Sequence, residues 1–165
     1  MRCRRIVGLR CTWIVIAALQ GMPGSTFADV AEIPERWLER SRGYEEGRAL
    51  QKELRADMIV FIANRTPAGP ARRSRQVEND LLRRPAMREF LADYVKVKLV
   101  TPTDPETNAL VEETFRVRFG PRLFVVRPGG FMIQVGLFDR DGDRRELRSI
   151  EDIQERIRAA GTPRS

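Results

Sequence analysis

Histidine is absent from these 165 residues, and cysteine occurs only as Cys3 and Cys11. Without imidazole there is no Ser-His-Asp triad, no Cys-His pair and no histidine metal site. Lysine is scarce as well, with 3 residues against 27 arginines, so clusters of arginine are expected by chance alone. No glycine-rich phosphate loop and no Ser-x-x-Lys pattern occurs, and the serines have no histidine partner. What is present is an ordinary soluble balance, 42% hydrophobic and 32% charged.

Residues 1–28 differ from the rest. Arg2, Arg4, Arg5 and Arg10 precede a short apolar run, Thr12 to Leu19; Gly21, Pro23 and Gly24 follow, then Thr26-Phe27-Ala28. A basic start, a short apolar middle and small residues before the cut describe a secretory signal peptide, with cleavage expected after Ala28. The apolar run is too short to span a bilayer. Removing the segment takes four positive charges from a net of +7 and leaves +3 over 137 residues. A nucleic-acid partner is therefore not expected, nor a membrane association after cleavage. The remaining chain, residues 29–165, contains no cysteine and is long enough for one core without disulfides.

Along that chain, Tyr44 to Leu54 reads as a helix and MIVFIA (Met58 to Ala63) as a strand buried on both faces. The breakers of NRTPAGPAR precede a helix over 71–82, which Pro85 restarts after an interruption. YVKVKLV alternates apolar residues with lysine, as a strand with one wetter face or near an edge would. Asp104 caps a helix beginning at Pro105. RLFVV and FMIQVG, joined by RPGG, form a hairpin, and Ser149 with Asp152 opens a last helix over 150–160. Strands alternating with helices, closed by a hairpin, predict an α/β protein with a mixed sheet of four to five strands covered on both faces.

Two segments carry a resemblance. FIANRTPAGPARR follows the first central strand, and VRFGPRLFVVRPGG places a Gly-Pro pair before a later one. Over about residues 44–157 the chain resembles the thioredoxin-like superfamily, as a secreted bacterial-type domain. The family has Cys-Gly-Pro-Cys at the first place; here the quartet is Ala68-Gly69-Pro70-Ala71, or Thr66-Pro67-Ala68-Gly69 if the match shifts by two. Neither quartet holds a sulfur, so the thiolate and resolving thiol of the family chemistry are missing. The resemblance implies a three-layer α/β/α sandwich, a cis-proline at Pro121, and a groove for extended peptides formed by Ala68, Gly69, Pro70, Ala71, Gly120 and Pro121.

The expected function is accordingly redox-inactive binding of a protein or peptide in the periplasmic or extracellular space, with no catalytic residues and no cofactor. Two alternatives stand beside it: an accessory that presents clients to a cysteine-bearing enzyme, and a carboxylate-dependent hydrolase. An anion site is expected at Arg72, Arg73 and Arg122 around the start of the helix that follows the quartet. The run Asp139-Arg140-Asp141-Gly142-Asp143 opens like a calcium loop, but Arg144 and Ile150 stand where its glycine and bidentate acid belong. It reads as a charged turn, and no metal is expected.

Overall fold

The computed structural model describes residues 31–141 and 144–161. The expected leader, its cleavage point and the tip of the calcium-like turn lie outside them. The elements are β1 (Leu38–Glu39), α1 (Arg40–Leu54), β2 (Met58–Asn64), α2 (Ala68–Val77), α3 (Pro85–Phe90), β3 (Val95–Thr101), α4 (Pro105–Ala109), β4 (Arg122–Val126), β5 (Met132–Val135), β6 (Phe138–Asp141), β7 (Arg144–Leu147) and α5 (Ile150–Gly161). Five strands form one mixed sheet in the order β1-β3-β2-β4-β5; β6 and β7 pair apart from it. β2 is parallel to β3, with Val60 opposite Val97, and antiparallel to β4, with Val60 opposite Phe124.

β2 is buried along its whole length because it lies at the centre of the sheet. Alternate side chains feed two cores. Ile59, Phe61, Leu123 and Val125 meet Val77, Leu81, Met87, Ile153 and Ile157 from the α2, α3 and α5 side. Met58, Val60, Ile62, Val97 and Phe124 meet Val111, Phe115 and Val117 on the other. Helices thus cover both faces, the expected α/β/α arrangement. Gln51 of α1 crosses to the sheet, its Nε2 donating to the Val126 carbonyl at 2.5 Å.

Local signals account for most boundaries. Pro85 stands at the start of α3. The Asp104 carboxylate accepts from Thr107 N–H at 2.8 Å and closes the N-terminus of α4. The Ser149 hydroxyl accepts from Asp152 N–H at 3.2 Å. Other boundaries differ from expectation. α1 begins at Arg40 rather than Tyr44, and α2 at Ala68 rather than 71. The turns Glu78–Leu82 and Leu110–Thr114 are wider π turns that continue α2 and α4.

The lysines of β3 explain its alternation. Lys96 and Lys98 lie on the α2 side, where Lys98 meets Glu78 at 3.0 Å. β3 lies between β2 and the two-residue β1, so it is an interior strand whose outer neighbour covers only part of it. Among the described residues no helix is long and apolar enough to cross a membrane.

Candidate functional site at the Gly120–Pro121 bend

The end of β2 and the start of α2 are tied together by buried polar groups. Asn64 N–H donates to the Ser74 hydroxyl at 2.9 Å, and that hydroxyl donates to the Pro70 carbonyl at 3.0 Å. Asn64 Nδ2 donates to Thr101 Oγ1 at 2.9 Å, and Arg65 N–H to the Thr101 carbonyl at 2.7 Å. These bonds fix the β2–α2 junction against the end of β3. The quartet Ala68-Gly69-Pro70-Ala71 forms the first turn of α2 rather than a loop. Ala68 and Gly69 are exposed and Ala71 is buried. Pro70 has no N–H, and Ala71 N–H is taken by the Pro67 carbonyl at 3.1 Å. The helix start therefore keeps two outward donors, Ala68 and Gly69, fewer than an ordinary N-terminus.

The segment 117–121 runs beside this junction. On one side it borders a cleft of about 350 Å³ with Asn64, Thr66, Pro67 and Pro102. On the other it borders a cleft of about 190 Å³ that joins Arg73 of α2, Arg122 of β4 and Arg145 of β7 to Gly120 and Pro121. Phe119 lines both clefts and is 62% exposed. Pro121 itself is buried. The cis linkages are Thr66–Pro67 and Thr101–Pro102; Gly120–Pro121 is trans, which corrects the expectation of a cis bond there. The isomer of an X–Pro bond is worth only about 0.5–1 kcal/mol before tertiary context, so a Gly-Pro pair does not specify it. Gly120 makes the bend through its backbone, at φ +87°, a region other residues avoid.

The arginine expectation is met in part. Arg73 and Arg122 share the small cleft, whereas Arg72 is exposed and lines none of the clefts described here. Arg122 is grouped with Arg73, not with the quartet; none of Ala68, Gly69, Pro70 and Ala71 lines that cleft. Arg145 is the member that sequence reading missed. It lies on a charged hairpin whose residues lack the apolar alternation that marks a strand. Burial, followed by the guanidiniums of Arg145 and Arg73, lowers Arg122 from the ordinary arginine value. Its Nη1 donates to the Pro121 carbonyl at 3.2 Å. None of these three arginines forms an ion pair among the described residues. Asp139 of β6, which lines an adjoining cleft with Arg122 and Arg145, is engaged by Arg148 at 2.7 Å. Among the described residues no group of three or more Cys, His, Asp or Glu is placed to hold a metal.

No family model matches the chain. No curated protein matches it either. Solved structures do. A thioredoxin from Thermus thermophilus superposes with a TM-score of 0.55 at 21% identity, over 76% of this chain and 86% of its own. The C-terminal domain of Neisseria meningitidis DsbD in its reduced form gives 0.51 at 13% identity, over 74% and 98%. Its oxidised form gives 0.52 at 14%, over 76% and 99%. With the mixed five-stranded sheet and its helices on both faces, these likenesses give the chain the thioredoxin-like fold.

Proposed function

We propose that this chain is an exported, thiol-free binding module that holds an extended peptide at the Gly120–Pro121 bend. An acidic side chain or a C-terminal carboxylate of the peptide sits among Arg73, Arg122 and Arg145, and an apolar neighbour lies on Phe119. One observation carries the reading. Three guanidiniums from three separate elements meet at one cleft, none of them in an ion pair among the described residues, beside an exposed aromatic ring. Like charges brought together in a partly desolvated place oppose one another, and a bound anion reverses the sign of that interaction. Guanidinium forks suit a carboxylate in particular. Residues 29–165 contain no cysteine, so the module carries out no thiol–disulfide exchange.

The test pairs two labelled peptides of the same length, one with aspartate and glutamate, the other with asparagine and glutamine. Fluorescence anisotropy should show tighter binding of the acidic one. Arg122→Gln should weaken that binding about ten- to a hundredfold, the weight of one charge-assisted hydrogen bond at about 1.5–3 kcal/mol. Equal binding of both peptides, or an Arg122→Gln protein that binds as well as the original, refutes the reading. Export is checked separately: the intact mass of secreted material should lack the residues that include Cys3 and Cys11.

A further inference from the structure

A second and larger cavity lies away from the bend, on the α2 side of the sheet near the short strand β1. It measures about 700 Å³ and shares no residue with the clefts around Phe119. That volume is within the range of small-molecule sites. Trp37, Leu82 and Leu91 give it apolar walls, and two exposed acids, Glu35 and Glu89, and two exposed arginines, Arg83 and Arg88, also line it. Lys96 of β3 also lines it, and only 6% of that residue is exposed.

Lys96 is unusual in what it lacks. Its Nζ donates to the Leu91 carbonyl at 3.4 Å and the Tyr94 carbonyl at 3.3 Å, both long for such bonds. An ammonium has three donors, so one is left over. Among the described residues no carboxylate pairs with it, whereas Lys98, two residues along the same face, has Glu78 at 3.0 Å. A buried ammonium without a carboxylate in direct contact is costly. Burial lowers the proton affinity of Lys96, and the charge of Glu35 opposes that shift.

We infer that this cavity binds a small organic carboxylate, its anionic end on Lys96 and its apolar body against Trp37, Leu82 and Leu91. One donor centre suits one carboxylate rather than a phosphate, which asks for several donors at once. A free cation is disfavoured by the ammonium itself. The residue's low exposure restricts the ligand to a small molecule that can reach past the rim. This site is independent of the peptide reading, since none of its residues belongs to the bend.

Calorimetry with sodium octanoate and with 1-octanol tests the assignment, because the two share a chain and differ in the charged end. Octanoate should bind with one-to-one stoichiometry, at least about tenfold tighter than octanol. Lys96→Met keeps the unbranched stem of the side chain without its ammonium and should abolish the preference for octanoate. Ala92→Trp narrows the cavity from an exposed position and should weaken both ligands. No saturable binding of carboxylates from four to ten carbons, equal affinity for acid and alcohol, or an unchanged preference in Lys96→Met would each overturn the inference. If Lys96→Met fails to fold, unaltered octanoate binding by Ala92→Trp overturns it alone.

Discussion

Three glycines allow a signed prediction about how α1 and α2 are seated. A glycine-to-alanine change inside a helix ordinarily stabilises by up to about 1 kcal/mol, because alanine loses less backbone freedom on folding. At Gly43 a new Cβ would lie 2.8 Å from the carbonyl carbon of Leu38 and 3.2 Å from its Cβ. Backbone cannot swing aside as a side-chain tip can, so β1 itself must move. At Gly47 the new atom would lie 2.8 Å from Val97 Cγ2 and 3.0 Å from Met58 Sδ. Val97 is short, branched and fully buried, and only the methionine can yield. Overpacking of this kind costs about 1–3 kcal/mol. The net for Gly43→Ala is a loss of about 1–2 kcal/mol, and for Gly47→Ala about 0–2 kcal/mol. Gly69 has nothing within 4 Å of the same atom, and its change should be neutral or stabilise by a few tenths, roughly 0.3 kcal/mol. Thermal denaturation of the three proteins should rank Gly69→Ala highest and Gly43→Ala lowest, about 2–8 °C apart per kcal/mol. A Gly43→Ala protein as stable as the original would refute the close seating of α1 on β1.

Asp104 carries a pH dependence of known sign. The N–H of Thr107, foremost, lowers its carboxyl below the ordinary aspartate value. Because the folded value is the depressed one, its stabilisation is complete above the ordinary value and lost as pH falls through the folded one. Urea midpoints taken from pH 6 to pH 2 should therefore decline less steeply for Asp104→Asn than for the original chain. Phe61 is fully buried and meets Trp37 edge-on with ring centroids 6.5 Å apart. Phe61→Ala should cost about 3–5 kcal/mol in chemical denaturation, a large part of a typical domain's stability; a loss below about 1 kcal/mol would contradict the packing described.

The fold was legible where a local signal and a tertiary demand agree. The apolar run of β2, the RLFVV strand and the caps at Asp104, Pro85 and Ser149 each declare themselves within a few residues. β1 does not, because its two residues are a strand only through pairing with Val97 and Lys98 on a distant segment. β6 and β7 escape notice because FDRD and RREL are charged and alternate nothing. The site was legible in proportion. Arg73 and Arg122 are visible beside the glycine-proline pairs, but Arg145 arrives from that unread hairpin. The isomer at Pro121 was misjudged because sequence names the bend and not how it is made. Lys96 showed in the alternation of β3, yet nothing local says that Glu78 would pair with Lys98 and that Lys96 would be left with main-chain carbonyls.

The two margins of the main sheet are unequal. One ends in β1, too brief to offer more than a couple of main-chain groups. The other ends in β5, four residues long, next to Phe131 at 77% exposure and carrying Met132 and Ile133 at 39% each. An edge of that length and greasiness accepts further chains by lateral growth. Within the main sheet, crowding in concentrated solution therefore bears first on β5, and a charged residue placed there guards the protein without replacing a residue that lines either proposed site.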